Sequence, residues 1–354
     1  MSYLFSDILL NQRNVTITDI IAAKVAAQTA FEAETFLLIQ DWLKKKDAFT
    51  LTTSGSTGAP KEITLTRNQL QQSALRTISA LGLTKNDTAL VCLDTKYIAG
   101  KMMLVRAIEG NMKVIGVEPT INPLLKIKEP ISFTAVVPMQ LQEILKDASS
   151  VKKLNQMKAV IIGGAVVSKE LLKRINDLTC AVFATYGMTE TVSHIALQRL
   201  NGEHAEDYFS ALPGITIETD KQNCLVIKLP EFSEKIITND VVELAGQGKF
   251  RWVGRYDNII NSGGFKISPE KVEKAIERFL PDQSFFVSAM PDERLGEKLV
   301  LIIEGESTST DFLSTVKNLH PYEVPKAVIS IKKFIRTETG KINRQKTRLL
   351  VVDR

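Results

Sequence analysis

Residues 52–61, TTSGSTGAPK, decide how this sequence is interpreted. A strand-like run leads into them and a helix-like run comes soon after, at 49–52 and 68–81. Gly55 and Gly58 permit positive φ angles and a close approach of the backbone, so several N–H groups and hydroxyls can face one anion. Lys61 adds a cationic donor. The segment therefore predicts a loop that holds a polyphosphate, with ATP as the natural guest.

This loop differs from a Walker A loop, in which Gly is followed directly by Lys and then Ser or Thr. Here Ala59 and Pro60 stand between Gly58 and Lys61. The alternative is an ordinary surface loop rich in Gly, Ser and Thr. The surface-loop interpretation is less favoured because other segments of the chain also indicate a nucleotide ligand.

Composition and charge narrow the class of protein. The 354 residues suffice for two domains, and 24% charged with 44% hydrophobic residues is typical of a globular chain. The net charge of +5 suits a small anionic ligand and gives no reason to expect a nucleic-acid partner. Neither a signal peptide nor a membrane-spanning run is recognisable, so we expect a cytoplasmic protein. The cysteines lie far apart, without metal-binding spacing: Cys92, Cys180 and Cys224.

Strand-like and helix-like runs alternate after the glycine-rich loop. The strand-like runs are 88–93, 113–117, 133–137, 158–162 and 180–184, and helix-like runs include 139–147 and 168–177. This alternation predicts an α/β fold with a mostly parallel sheet wrapped by helices. Open sheets of this type bind ligands at the carboxyl ends of their strands. Two glycine-bearing segments fall there: Gly163-Gly164-Ala165 and Tyr186-Gly187-Met188.

The pattern changes on either side of this region. Residues 16–46 are predicted to be helical, and 212–253 to form short strands of a small, barrel-like antiparallel β unit. Beyond residue 255, Ser268-Pro269 predicts a helix start, and further strands follow. We therefore predict an N-terminal domain, 1–255, and a small α+β C-terminal domain, 256–354.

Four segments now stand in order: TTSGSTGAPK, YGMTE (186–190), GRYDNIINSGGFKISPEKVE (254–273) and RTETGKINR (336–344). Together they resemble the adenylate-forming superfamily, which includes acyl-CoA synthetases, adenylation domains of peptide synthetases and firefly luciferase. The resemblance covers about 49–348. It implies an N-terminal domain that is shortened before the glycine-rich loop, and a mobile C-terminal domain. It also implies a two-step reaction: a carboxylate attacks the α-phosphate of ATP, and a thiol, usually of coenzyme A, then displaces AMP.

The resemblance implies a nucleotide site. The β and γ phosphates would be held by Thr53, Ser54, Gly55, Ser56, Thr57, Gly58 and Lys61. Gly163, Gly164 and Ala165 would flank the adenine, with Tyr186 stacking nearby and Gly187 and Met188 in the same turn. Thr189 would donate to the α-phosphate and Glu190 would help to hold Mg²⁺, a cation that prefers oxygen ligands. Asp240 would accept the ribose hydroxyls, and Arg255 would reach the ribose or phosphate.

Three further roles follow from the same resemblance. Lys341 matches the lysine that acts in adenylation, where a mobile cation would stabilise the developing charge. Asp257 matches the hinge of the small domain, whose swing would bring Ser262, Gly263 and Gly264 beside the thiol of coenzyme A. The alternatives are a turn residue at Asp240, a surface lysine at Lys341 and an ordinary linker residue at Asp257.

The acyl pocket is implied by a narrower resemblance. Tyr97-Ile98-Ala99-Gly100 is similar to the His-Val-Ser-Gly segment of o-succinylbenzoate–CoA ligases, although Tyr97 replaces the usual His. Those enzymes carry a basic residue six positions after the glycine, where this chain has Arg106. Their substrate has a second carboxylate, which a buried arginine can bind with two hydrogen bonds. The similar run YGMTETVSHIAL would place Thr191, Ser193 and His194 along the acyl wall. The alternative is that Arg106 is a surface residue of a helix at 101–109.

The sequence therefore predicts an ATP-dependent acid–CoA ligase, with o-succinylbenzoate of menaquinone biosynthesis as the favoured acid. Its expected partners are a small carboxylic acid, ATP with Mg²⁺, and coenzyme A; a homo-oligomer is possible. Other open interpretations are a ligase for a different aryl or acyl acid, a module that loads a carrier protein, and a nucleotide-binding relative without catalysis.

Overall fold

In the computed structural model the described residues are 6–53, 61–246, 248–281, 283–306, 311–316, 319–336 and 342–352. They form two compact units. Within the described chain, the first unit comprises 6–53, 61–216 and 228–236, and the second comprises 217–227 and the residues from 237 onward. The domain boundary predicted between residues 255 and 256 stays a prediction.

The first unit alternates strands and helices, as the sequence predicted. Its elements are β1 (Asp7–Leu10), β2 (Arg13–Thr16), α1 (Ile17–Ile21), α2 (Ala30–Leu43), β3 (Ala48–Thr53), β4 (Lys61–Thr66), α3 (Arg67–Ala80), β5 (Thr88–Val91), α4 (Ile98–Glu109), β6 (Lys113–Gly116), β7 (Phe133–Val136), α5 (Pro138–Ile144), α6 (Ala148–Leu154), β8 (Ala159–Ile162), α7 (Lys169–Ile175), β9 (Ala181–Gly187), β10 (His194–Arg199) and β11 (Phe209–Ala211).

The large sheet of this unit is mostly parallel. Its strand order is β11-β10-β9-β8-β7-β5-β6-β1-β2, and the pairs from β9 through to β1 are parallel. Successive residues of a strand enter different apolar clusters: Ala135 and Ile161 lie in one cluster, and Val136 and Ile162 lie in the other. Because successive side chains point to opposite faces, both faces of the sheet are buried, which is typical of a parallel sheet covered by helices. The predicted α/β fold class is confirmed.

Local signals explain where the helices begin. The Thr66 hydroxyl accepts from the Gln69 N–H and the Gln69 side chain accepts from the Thr66 N–H, a reciprocal cap at the start of α3. Ser168 caps α7 by accepting from the Leu171 N–H at 3.2 Å, so the helix begins at the start of the predicted run 168–177. These caps satisfy backbone donors that would otherwise lack a partner.

Several boundaries predicted from sequence were wrong. The stretch 16–46 contains two helices, α1 and α2, rather than one continuous helical region. The sequence did not predict strand β4, which pairs antiparallel with β3. The two strands form a hairpin that precedes α3. Tyr186 and Gly187 lie inside β9 rather than after it, because β9 continues beyond residue 184. The difference follows from pairing with β10, which extends β9 at its carboxyl end.

The second unit contains two sheets. Its elements are β12 (Thr216–Thr219), β13 (Cys224–Lys228), β14 (Ile236–Leu244), β15 (Lys249–Arg255), β16 (Ile260–Ser262), β17 (Phe265–Ile267), α8 (Pro269–Ile276), β18 (Phe285–Asp292), β19 (Gly296–Glu304), β20 (Ala327–Ile331) and α9 (Arg344–Val352), with short 3₁₀ turns at Tyr256–Asn258 and Asp311–Thr315. The strand orders are β12-β13-β14-β15 and β17-β16-β19-β18, with β20 parallel to β19.

The second of these sheets has a core on each face. Val272 and Ile276 of α8 pack with Leu301 on one face, and Val351 of α9 packs with Ile302 on the other. Pro269 is the first residue of α8, as predicted. The short strands predicted within 212–253 include one longer strand, since residues 236–244 form β14 without interruption. None of the described helices combines the length and the apolar character that crossing a bilayer requires.

Candidate active site

Arg106 is a buried cation that has no counter-ion among the described residues. It lies in the last turn of α4 and is only 2% exposed, so the alternative of a surface residue is wrong. Its Nη2 donates to Ser193 Oγ at 2.5 Å, and its buried Nε–H has no partner among the described residues. No Asp or Glu of the described chain lies within ion-pairing distance of it, and burial lowers the pKa of Arg106 to about 9. At neutral pH it remains charged, which is costly unless an anion pairs with it.

His194 lies beside this cation and is neutral. Its Nε2 is 2.9 Å from Thr77 Oγ1, and Thr77 uses its own proton to donate to the Ser73 carbonyl. Nε2 therefore carries the hydrogen, and the Nδ1 lone pair faces Arg106 Nη2 at 3.5 Å. Burial, followed by the charge of Arg106, lowers the pKa of His194 well below its ordinary value. Sequence analysis missed Thr77, which holds this ring from a helix far away in the chain.

A tight turn aims Ser193 and His194 at Arg106. Val192 has φ 68° and ψ −54°, and the Ser193 N–H donates to the Thr191 carbonyl at 2.8 Å, as in a γ-turn. This conformation is rare and strained for a β-branched residue. The Thr191 hydroxyl is engaged with the backbone of the same turn: it accepts from the Met188 N–H at 3.0 Å, and its single proton lies between the Ser193 and Met188 carbonyls, at 2.8 and 3.0 Å. Nothing in the sequence signalled the strain at Val192.

Gly187 is required where β9 meets this turn. A Cβ atom there would lie 2.3 Å from the Ser193 oxygen and 2.4 Å from His194 Cα. We expect Gly187→Ala to lower the free energy of unfolding by about 1–3 kcal/mol, because rigid backbone has to move. Chemical denaturation would measure the loss. Gly163→Ala is the matched comparison: among the described residues its Cβ would meet a side-chain atom rather than backbone, Thr185 Oγ1 at 2.7 Å, which can move at the cost of its bond to the Ile162 carbonyl, so a smaller loss is expected. Equal losses in both variants would contradict this account.

The predicted adenine segment lies at the carboxyl end of β8. Gly163 follows the strand directly, and Gly164 has φ 86° and is exposed, as is Ala165. The adjacent parallel strand β9 brings Tyr186 to the same edge of the sheet, 5.8 Å from the Phe209 ring. Thr189 and Glu190 begin the 3₁₀ turn after β9, and Glu190 is exposed. These residues are thus brought together, at the edge where open α/β sheets bind ligands.

The predicted phosphate loop is described only at its base. Thr53 of β3 pairs with Lys61 of β4, so residues 54–60 connect two paired strands. Ser54, Gly55, Ser56, Thr57 and Gly58 lie outside the described residues, and so does Lys341. Ile342, next to Lys341, forms a β-bridge with Arg336. The roles predicted for the loop and for Lys341 stay predictions.

In the second unit the predicted ribose residues face each other across two strands. Asp240 of β14 pairs with Arg255 of β15, and their closest side-chain atoms, Oδ1 and Nη1, are 4.0 Å apart. Asp240 Oδ1 also accepts from Trp252 Nε1 at 3.1 Å. Arg255 donates two hydrogen bonds to Asp257, at 2.8 and 2.7 Å, and these hold the pKa of Asp257 below its ordinary value. Arg255 is thus bound to the predicted hinge residue as well as close to Asp240.

The predicted coenzyme A segment is a hairpin turn. Gly263 and Gly264 have φ 59° and 85° and connect β16 to β17, where Ser262 pairs with Phe265. Two successive positive φ angles are typical of the type I′ turn in two-residue hairpins. A Cβ on Gly264 would meet no atom within 4 Å. Tyr97, from the predicted acyl pocket, stands at the N-cap of α4 and is 38% exposed.

The chain is similar to known proteins in sequence and in structure. The family described as AMP-binding enzyme matches residues 9–218. The acyl-CoA synthetase (AMP-forming)/AMP-acid ligase II-like protein from Dyadobacter fermentans is 38% identical; the match covers 94% of this chain and 97% of that one, with a TM-score of 0.65. The 2-succinylbenzoate–CoA ligase of Listeria monocytogenes is 27% identical over 94% of this chain and 78% of its own length.

A third comparison supports the fold. The O-succinylbenzoate coenzyme A synthetase (MenE) from Bacillus subtilis, solved in complex with ATP and magnesium, has a TM-score of 0.72 at 21% identity and matches 84% of this chain and 69% of its own. The family match spans more than half of the chain, and the Dyadobacter protein matches nearly all of it. This chain therefore belongs to the AMP-binding enzyme family.

Proposed function

We propose that this chain is an ATP-dependent acid–CoA ligase, and that o-succinylbenzoate is the acid it activates. The four ordered motifs and the 38% identity to a protein named as an AMP-forming acyl-CoA synthetase support the first part. The second part is supported by the names of several relatives, among them the Listeria monocytogenes enzyme. It has an independent physical basis in the first unit.

The observation that carries the proposal is the charge of Arg106. A buried guanidinium without a carboxylate partner costs folding free energy unless a ligand compensates it. Its Nε–H finds no acceptor in the part of the chain that the structure describes, and a planar fork of N–H donors matches a carboxylate. The described groups that contact its Nη2, Ser193 Oγ and His194 Nδ1, carry no negative charge that would repel an incoming carboxylate. A dicarboxylic acid could place its second carboxylate here while its first reacts elsewhere.

The described residues also fit a nucleotide with Mg²⁺. In the first unit, the glycines at the end of β8 leave room for a flat base. In the second unit, considered by itself, Asp240 offers a carboxylate of the kind that accepts ribose hydroxyls. Mg²⁺ is commonly held by one or two carboxylates together with phosphate oxygens, and the exposed Glu190 supplies one such carboxylate. Bound ATP would supply the phosphoanhydride whose cleavage activates the acid, and coenzyme A the accepting thiol. Within the chain, Thr189 would donate to phosphate, and Lys341 would place a cation where charge develops.

A panel of acids tests the substrate. AMP and thioester would be detected together with o-succinylbenzoate, with monocarboxylic aryl acids and with aliphatic acids. We expect o-succinylbenzoate to be preferred by about 100-fold in kcat/KM over the monocarboxylic acids. Only its second carboxylate can pair with Arg106 while its first carboxylate reacts. Equal use of acids without a second carboxylate would contradict this substrate. A carrier-protein thiol as the only acceptor would favour a loading module, and absence of ATP–pyrophosphate exchange with every acid would favour a non-catalytic nucleotide-binding protein.

A further inference from the structure

The side chain of Glu270, in the second unit, contacts both the turn at the predicted hinge and the segment that follows Lys341. Glu270 lies in the first turn of α8, and its side chain is 8% exposed. Its Oε1 accepts from Asn258 Nδ2 at 2.6 Å, and its Oε2 accepts from the Ser268 hydroxyl at 3.1 Å. Asn258 directly follows Asp257, the predicted hinge residue. Glu270 is thus fixed to the end of the hinge turn.

The same carboxylate faces the anchor of the Lys341 segment. Arg344, the first residue of α9, lies 4.0 Å from Glu270 Oε1. Arg344 also donates two bonds of 2.8 Å to Glu273, one turn further along α8. Glu273 in turn accepts from the Val287 N–H. Arg344 is therefore held by two carboxylates of one helix, and it stands three residues after Lys341.

Glu270 also meets the strand that precedes the hinge. A Cβ atom on Gly254 would lie 2.7 Å from Glu270 Oε2 and 2.7 Å from the Ser268 hydroxyl. Only glycine therefore allows β15 to pass this close to the start of α8. Beyond it, Arg255 is tied to Asp257 by two hydrogen bonds. A change of φ and ψ at the hinge would move the Gly254 backbone relative to Glu270.

We propose that Glu270 is a positioning residue that couples the hinge around Asp257 to the anchor of the Lys341 segment. Glu270 lies close to the Gly254 backbone before the hinge, accepts a hydrogen bond from Asn258 after the hinge, and attracts Arg344 by its charge. Rotation of the hinge would therefore move the Glu270 carboxylate relative to Arg344 and change how firmly Arg344 is held. The catalytic consequence rests on the proposed function, whereas the physical coupling can be tested without any substrate.

Hydrogen exchange tests the coupling on the whole, unliganded chain. In Glu270→Gln the bond to Asn258 becomes a weaker one between neutral groups, and the charge facing Arg344 is lost. We expect amides in 256–262 and in 342–347 to exchange about two- to fivefold faster, in both segments together. Asn258→Ala breaks the link from the hinge side and is expected to speed exchange in 342–347 as well. Glu293→Gln removes an exposed carboxylate of the same unit and is expected to change neither segment.

Measurements of the two half-reactions test the consequence. For Glu270→Gln we expect kcat of adenylation to fall about two- to fivefold with KM for ATP unchanged, while thioester formation from supplied adenylate stays the same. A uniform loss in both half-reactions would indicate a merely structural role and overturn the proposal. So would unchanged exchange in 342–347 in both variants. If the wild-type chain forms no adenylate with any acid, the proposed function fails, and the exchange data still decide the coupling.

Discussion

Replacing Arg106 with alanine is expected to reduce kcat/KM for o-succinylbenzoate by roughly 100-fold or more. The loss is large because the second carboxylate would enter a buried site and find no cation there. A monocarboxylic acid does not use this charge, so its activation should change by less than about threefold. Measuring AMP release with both acids gives the ratio directly. Equal losses for the two acids would remove the physical reason for naming o-succinylbenzoate.

Two other substitutions separate charge from packing. Arg106→Lys keeps the charge but loses the planar fork, and an intermediate loss is expected. Arg106→Met fills a similar volume without charge. Since the wild-type guanidinium lacks a carboxylate partner among the described residues, Arg106→Met is expected to raise the unfolding midpoint of the unliganded protein while it removes the preference for a second carboxylate. A lower midpoint in Arg106→Met would mean that the buried charge is compensated within the protein.

The central sheet could be predicted from sequence because each of its strands is marked by a run of neighbouring apolar residues. Buried parallel strands are apolar on both faces, so runs such as 133–137 and 158–162 stand out against the helices between them. Glycines after β8 marked the ligand-binding edge in the same way. The hairpin of β1 and β2 gave no such signal: Asn11 and Gln12 take positive φ angles of 48° and 67° without a glycine.

The environment of Arg106 could not be predicted from sequence, because it depends on distant segments. Helical spacing placed Arg106 on α4 but did not show which neighbours cover it. Its partner Ser193 is 87 residues away, and the contact of His194 with Thr77 spans 117 residues. Both contacts depend on the γ-turn at Val192. Its backbone is strained, but its buried valine side chain looks like that of any other core residue in the sequence. A strained turn of this kind is seen only once the fold is known.

Replacing Lys341 with alanine is expected to slow adenylation by roughly 100- to 1,000-fold, the loss typical of removing one group that stabilises charge in a transition state. Thioester formation from supplied adenylate should be spared, because the proposed swing takes Lys341 away before that step. ATP–pyrophosphate exchange measures the first half-reaction, and a single-turnover assay with adenylate and coenzyme A measures the second.

The fold should survive this substitution, because the described residues beside Lys341 have anchors of their own. Ile342 bridges to Arg336, the Asn343 N–H donates to the Ile335 carbonyl, and Asn343 Oδ1 accepts from the Lys346 N–H. Lys346→Ala is the matched control: it removes an exposed lysine five residues further on and should leave both half-reactions unchanged. If Lys341→Ala slowed both half-reactions equally, one fixed arrangement would have to serve both steps, and the alternation of the small domain would be wrong.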